Sequence, residues 1–184
     1  CFTATIQLIF LPSVLPNVFE KFQIEKTLAL KLAGTVVMLY TVTAIIGTYL
    51  WSWLSRRVGL RRMITLLFTL GILFQALLAL NREVFGFTLI RMMQTGLVAA
   101  TIPLIFSIFL SEPKGGMIGF LNSARFAGNA LGPLIATSVV AFASLEALYI
   151  SISLISLLSL FGFRFFFRQP EDLSSTLQAK KSSL

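Results

Sequence analysis

Six apolar runs occupy nearly the whole of this chain, at residues 1–19, 32–54, 63–80, 84–110, 117–141 and 145–167. Each is about 18 to 27 residues long. At 1.5 Å per residue, a helix of that length matches the roughly 30 Å hydrocarbon core of a bilayer. A body of 184 residues cannot hide so much apolar surface from water, since 57% of its residues are hydrophobic and only 12% charged. Soluble domains run nearer 45 to 50% and about 25%. The solvent is therefore lipid, where every backbone polar group must be satisfied within the chain, so that only helices and closed barrels can span. Barrel strands alternate every second residue, and a run such as Val36–Leu54 does not. The expected fold class is all-α: a polytopic membrane protein of six transmembrane helices in one bundle over residues 1–167, with a polar tail at 168–184. Short connections make consecutive helices antiparallel neighbours.

The chemistry is narrowed by what is missing. The chain has no histidine, one cysteine (Cys1) and one aspartate (Asp172, in the tail). It cannot assemble a Ser-His or Cys-His pair, an aspartate dyad, a zinc site or a histidine-ligated haem. No catalytic residue, metal site or cofactor is expected, and the chain does not read as an enzyme. The net charge of +8, from 15 Lys and Arg against 7 Asp and Glu, would suggest nucleic acid in a soluble protein. Here the basic residues sit at membrane edges, so the lipid bilayer is the expected partner and nucleic acid is not.

Their distribution sets an orientation. Arg56, Arg57, Arg61 and Arg62 follow the second run, Lys114 follows the fourth, and Arg164, Arg168, Lys180 and Lys181 mark the C-terminal end. The hairpins at Asn81–Glu83 and Ala143–Glu146 carry only Arg82. By the positive-inside rule the arginine-rich loop and the C-terminus are cytoplasmic, with Trp51 and Trp53 at the inner interface. The mixed charges of residues 17–31 fit an exterior, solvated extension of the first helix. The chain starts on Cys1 with no charged segment before its first run, and the expectation is that it lacks an N-terminal portion.

Three motifs carry a resemblance. The stretch Ser52-Trp-Leu-Ser55-Arg56-Arg57-Val-Gly59-Leu-Arg61-Arg62 resembles the G-x-L-a-D-R-x-G-R-R signature found in the major facilitator superfamily between helices two and three, and in weaker form between eight and nine. Ser52 and Arg56 replace its glycine and its acid, an erosion typical of the second copy. Asn122-Ser-Ala-Arg125-Phe-Ala-Gly128-Asn129-Ala-Leu-Gly132-Pro133 resembles the glycine-proline signature of that superfamily's drug:proton antiporter branch. Arg91-Met-Met-Gln94-Thr95-Gly96 is similar to its R-x-x-q-G pattern, with the glycine one residue late. The resemblance implies the C-terminal six-helix half of a twelve-helix secondary transporter in a bacterial inner (plasma) membrane. Its partners would be a companion N-terminal half, or another membrane subunit, and a small-molecule substrate.

Within that frame, Arg56, Arg57, Gly59, Arg61, Arg62, Gly128, Gly132 and Pro133 are expected to serve gating or helix packing. Arg91, Gln94, Arg125 and Asn129 are the candidates for a substrate-binding cavity. Arg91 lies about seven residues, or roughly 10 Å, inside its helix. Intramembrane charges are costly and usually face a cavity or a partner. The other reading is that each arginine satisfies helix carbonyls or lipid phosphates. Phe74, Met92, Met93, Phe106 and Phe126 could form an adaptable lining for amphiphiles, although such residues more often pack or face lipid. The rival function is a non-transporting half-permease used as a scaffold or assembly subunit. A channel is disfavoured by the want of a carbonyl filter or acidic ring.

Overall fold

The computed structural model describes residues 1–110 and 115–166. Glu112, Lys114 and the tail with Arg168, Asp172, Lys180 and Lys181 lie outside the described residues. Six long helices follow in order: α1 (Phe2–Lys21), α2 (Lys26–Val58), α3 (Leu60–Leu77), α4 (Val84–Leu110), α5 (Gly115–Phe142) and α6 (Leu145–Phe166). A single 3-10 turn, Leu78–Leu80, extends α3, and no strand occurs among the described residues. Five of the helices are long and apolar enough to cross a membrane. The exception is α5, which at 28 residues has the length. Asn122, Arg125 and Asn129 lower its hydropathy, as expected of a spanning helix with one polar side.

The first connection differs from the expectation. Residues 26–31 do not extend α1 but begin α2. Gln23 takes a left-handed φ of 58°, and around it the amides of Gln23 and Ile24 donate back to the carbonyls of Glu20 (3.0 Å) and Phe19 (3.2 Å). That pairing is a Schellman closure, with glutamine at the position glycine usually holds. The expected turn at Gly59 is present. Its φ of 93° and ψ of 136° lie where side-chain-bearing residues are strained, and its amide donates to the Ser55 carbonyl at 2.9 Å. With this one residue the chain leaves α2 and enters α3.

Close approaches of small residues determine how the helices stack. On α2, a Cβ placed at Gly47 would overlap the carbonyl of Gly96 on α4. Beside this crossing the Thr43 hydroxyl donates to the Tyr40 carbonyl (2.7 Å) and reaches the Met92 carbonyl across the interface (3.2 Å). Gly96 thus faces α2, which fixes the facing that its late position in the motif left open. Gly128 of α5 rests on α1, where a Cβ would come within 2.8 Å of the Phe2 carbonyl oxygen. Gly132, one turn on, leaves ordinary contact with Ile6. The pair α1 and α4 forms the centre, flanked by α2 and α5 and backed by α3 and α6. Phe10, Leu15, Phe19, Phe87, Leu148 and Tyr149 fill the core between α1, α4 and α6. At one end of the bundle an ion pair between Lys21 and Glu146 joins α1 to α6. Half-exposed as it is, this pair contributes little to stability.

Gly47→Val forces α2 off α4. Overpacking of a close crossing should cost about 3 kcal/mol in a denaturant titration in micelles. Gly34→Val, on the same helix with open space around it, should change stability by less than about 1 kcal/mol.

Candidate functional site

The apolar interior holds one continuous polar network, centred on Arg91 of α4. Its side chain is fully buried. Nη1 donates to the Gln7 carbonyl at 2.9 Å and to the Gln94 side-chain oxygen, and Nη2 donates to the Leu8 carbonyl at 2.9 Å. Sequence explains why these carbonyls can receive it. In a continuous helix the Leu8 carbonyl would accept from the amide of residue 12, but that residue is Pro12, which has no N–H. The guanidinium supplies the missing donor. Its planar fork spans two successive carbonyls of α1, a geometry that a lysine ammonium cannot reproduce. Aromatic rings of Phe10 and Tyr40 lie 5.2 and 5.1 Å from its central carbon, which adds cation–π stabilisation to a charge with no carboxylate beside it among the described residues.

The network continues through amides. Gln94 donates to Gln75 Oε1 on α3 (2.7 Å) and to Gln7 Oε1 on α1 (3.3 Å), and Gln7 donates in turn to Ser156 Oγ on α6 (2.6 Å). Four helices, α1, α3, α4 and α6, are tied by side chains that are all buried. Arg91 Nε, Gln75 Nε2, Thr95 Oγ1 and Tyr149 OH stay buried without a hydrogen-bond partner.

Arg91 and Gln94, two of the candidates for a substrate-binding cavity, are buried inside the bundle, where Arg91 donates to two helix carbonyls. Gln7, Gln75, Ser156, Tyr40 and Tyr149 belong to the same cluster and were not among the sequence candidates. Their signal was an amide standing alone in an apolar run, together with a proline at i+5 from Gln7. Arg125 and Asn129 lie elsewhere, half-buried on α5. The Arg125 guanidinium sits 5.6 Å from the ring of its neighbour Phe126. Of the expected greasy lining, Met92 packs into the core, while Met93 and Phe126 are exposed.

A second feature is the open face of α2. Only 22% of its apolar window is buried, against 39 to 61% for the other four apolar spans. Along it runs a shallow groove of about 640 Å³ lined by Thr41, Ala44, Ile45, Thr48, Ser52 and Arg56, with Tyr49 and Trp53 at its edge. Arg57 lies outside the groove over the Trp53 ring at 4.9 Å. On the opposite flank α5 exposes Asn122, Ser123 and Phe126. Arg61 is half-buried and Arg62 exposed at the start of α3. Pro133 withholds a donor from the Asn129 carbonyl, and its own carbonyl accepts from Thr137 Oγ1 at 2.9 Å.

Arg91→Ala leaves a buried carbonyl and a glutamine oxygen without their donor, and should destabilise the protein by about 3 to 5 kcal/mol. Pro12→Ala restores the amide that Leu8 lacks. In that background the cost of Arg91→Ala should fall by about 1 kcal/mol or more, measured as the coupling term of a double-mutant cycle. Strictly additive costs would show that the guanidinium does not serve the freed carbonyl.

Comparison with curated proteins and with solved structures gives no match. The family model described as Major Facilitator Superfamily matches residues 1–183, essentially the entire sequence. On that match, and with the six-helix fold that accompanies it, the chain belongs to the major facilitator superfamily, a family of membrane transporters.

Proposed function

We propose that this chain is the C-terminal six-helix half of a secondary transporter that moves a small molecule, an amphiphilic drug, metabolite or organic anion, by alternating access. The observation that carries the reading is the open face of α2. A helix that met only lipid would gain nothing from a row of outward-facing hydroxyl oxygens leading to an arginine at the cytoplasmic edge, whereas a polar partner or water can bond to their lone pairs. Thr41, Thr48, Ser52 and Arg56 line such a stripe, and α5 offers Asn122 and Ser123 on the other flank. Both faces await a surface of the same polarity. A companion N-terminal half, packed across α2 and α5, supplies it and leaves a water-filled path between the halves. In that assembly Arg125 and Asn129 are the residues of this chain placed to meet substrate. Arg56, Arg57, Arg61 and Arg62, hinged at Gly59, form this half's share of the gate on the cytoplasmic side, and Gly128 and Gly132 with Pro133 let α5 move against α1.

The erosion of the motif at Ser52 and Arg56 supports the second half over the first. The antiporter and multidrug-efflux reading rests on the likeness of Arg125–Pro133 to the glycine-proline signature. Proton coupling would need a carboxylate at membrane depth, and among the described residues Glu20, Glu25, Glu83 and Glu146 all stand at helix ends. A coupling carboxylate therefore belongs to the companion half.

Two measurements test this reading. In a Cys1→Ser background, Leu60→Cys should react with an impermeant thiol reagent only from the cytoplasmic side of a bacterial inner membrane. Labelling from outside would reverse the orientation. Purified chain in liposomes with an imposed pH gradient should show no gradient-driven uptake by itself and should gain it with the companion half. Uptake by the 184 residues alone would overturn the half-transporter account. Assembly into a stable complex with no transport under any gradient would favour the scaffold.

A further inference from the structure

The backing pair, α3 and α6, carries a groove away from the polar faces of α2 and α5, with Arg61 and Arg62 of the proposed gate at one end of it. About 440 Å³ in volume, it is lined by Arg61, Arg62, Thr65, Leu66, Thr69 and Leu70 of α3 and by Arg164 of α6. Its chemistry is graded along its length. Three guanidinium groups stand at the end of the bundle, two threonines follow one and two turns further in, and leucines carry the wall on toward the apolar span. From residue 61 to residue 69 the rise is about 12 Å, the distance from a headgroup layer into hydrocarbon. The Thr65 and Thr69 hydroxyls donate to the carbonyls of Arg61 (3.0 Å) and Thr65 (2.7 Å), so their oxygens present lone pairs to the groove.

Among the described residues, charge at this end is one-sided. Among the described residues every glutamate, Glu20, Glu25, Glu83 and Glu146, lies at the opposite end of the bundle, where α1, α3 and α5 finish and α2, α4 and α6 begin. Arg56, Arg57, Arg61, Arg62 and Arg164 occupy the arginine end. The side chains around the groove face outward, with Leu66 49%, Leu73 55%, Leu158 70% and Phe161 63% exposed.

We infer that this groove is a binding site for an anionic phospholipid, the phosphate held by Arg62 and Arg164 with Arg61 beside them and an acyl chain laid along Leu66 and Leu70. A soluble anion would satisfy the guanidinium groups but leave the leucine wall bare. A neutral lipid would cover the leucines and offer no anion to Arg62 and Arg164. Only a molecule that is anionic at one end and apolar beyond it matches both parts, and basic pockets between membrane helices are matched to such headgroups by the surface field they add to. A glycerol headgroup adds hydroxyls able to donate to the threonine oxygens. The assignment does not depend on whether the chain transports.

Full-length chain in nanodiscs containing a photoactivatable phosphatidylglycerol should be labelled on residues 61–70 and near Arg164. A matched phosphatidylcholine probe should label these positions at least fivefold less. Arg62→Gln combined with Arg164→Gln should bring the two probes level, and Arg82→Gln at the far end should not. Thr69→Phe, which fills the groove without altering charge, should also cut the phosphatidylglycerol labelling severalfold. A response to the arginine variants alone would show diffuse surface attraction and overturn the site. Should the double variant misfold, the label map on the unaltered chain decides, since labelling spread equally over Arg56 and Arg57 would equally overturn it. Millimolar inorganic phosphate should leave the labelling unchanged, and its displacement of the lipid would reassign the groove to a free anion.

Discussion

One hydrogen bond organises this bundle: that from the Arg91 guanidinium to the Leu8 carbonyl, 2.9 Å long and closed to solvent. Its origin lies in α1, where Pro12 leaves a carbonyl with no donor from its own helix. In water such a carbonyl would be hydrated. Inside a membrane bundle it costs several kcal/mol unless a neighbouring helix supplies the donor. Arg91 supplies it and thereby brings a full positive charge into the interior, which would itself be prohibitive without the second carbonyl, Gln94 and the rings of Phe10 and Tyr40. Two groups that would each destabilise the fold alone are compatible only together. The register of α1 against α4 follows from that pairing.

The rest of the packing is arranged around this centre. Because Gln94 and Gln7 extend the network to Gln75 and Ser156, the backing helices are held to the same register as the central pair. The flanking helices are held differently. Close backbone contact fixes α2 at Gly47 and Gly96 and α5 at Gly128, and lipid-like apolar surface offers no comparable drive toward association. The centre and back of the bundle are thus tied by the buried network, and α2 adds the Thr43 bond to the Met92 carbonyl and the Tyr40 ring beside Arg91, while α5 rests on small-residue contact with α1. Bonds resist sliding more than smooth contacts do, so α5, which presents a polar face, is the flank freer to shift.

The sequence makes the helices legible because a bilayer turns length and hydropathy into direct constraints. The turn at Gly59 is equally legible, since it is the one glycine between the runs 32–54 and 63–80, although the helices close to within one residue of it where the sequence left a longer connection. Less so is the first connection. The charges of residues 20–31 read as a solvated extension of α1, whereas the break is made by a Schellman closure on Gln23, a residue with no marked preference for that role. The glycine pair in α5 announces a close approach by its spacing. Gly47 and Gly96 do not, because each is one half of a contact whose other half lies on a different helix. Arg91 was conspicuous as an intramembrane charge, yet its environment was not. Telling a cavity from a core requires knowing that α1 lies against α4 with Leu8 at the level of Arg91, and that is a property of tertiary register.

Prolines inside helices occur in α1, α4 and α5, the central pair and one flank, and not in α2, α3 or α6 among the described residues. Each withholds one backbone bond, so bending there forfeits less than elsewhere in the helix. At Pro12 the freedom is removed again, because the carbonyl it releases is bound by Arg91. At Pro103 and Pro133 the corresponding carbonyls belong to Ala99 and Asn129, and no side chain of the central network reaches them. Outside α1, bending is consequently cheapest in the half of α4 beyond Arg91 and in the middle of α5. These segments carry the helices away from the clasp, one past Pro103 toward the arginine end and the other beside Arg125 and Asn129. The arginine that fixes Pro12 leaves Pro103 and Pro133 as compliant points outside α1, and the polar side of α5 lies directly on the second of them.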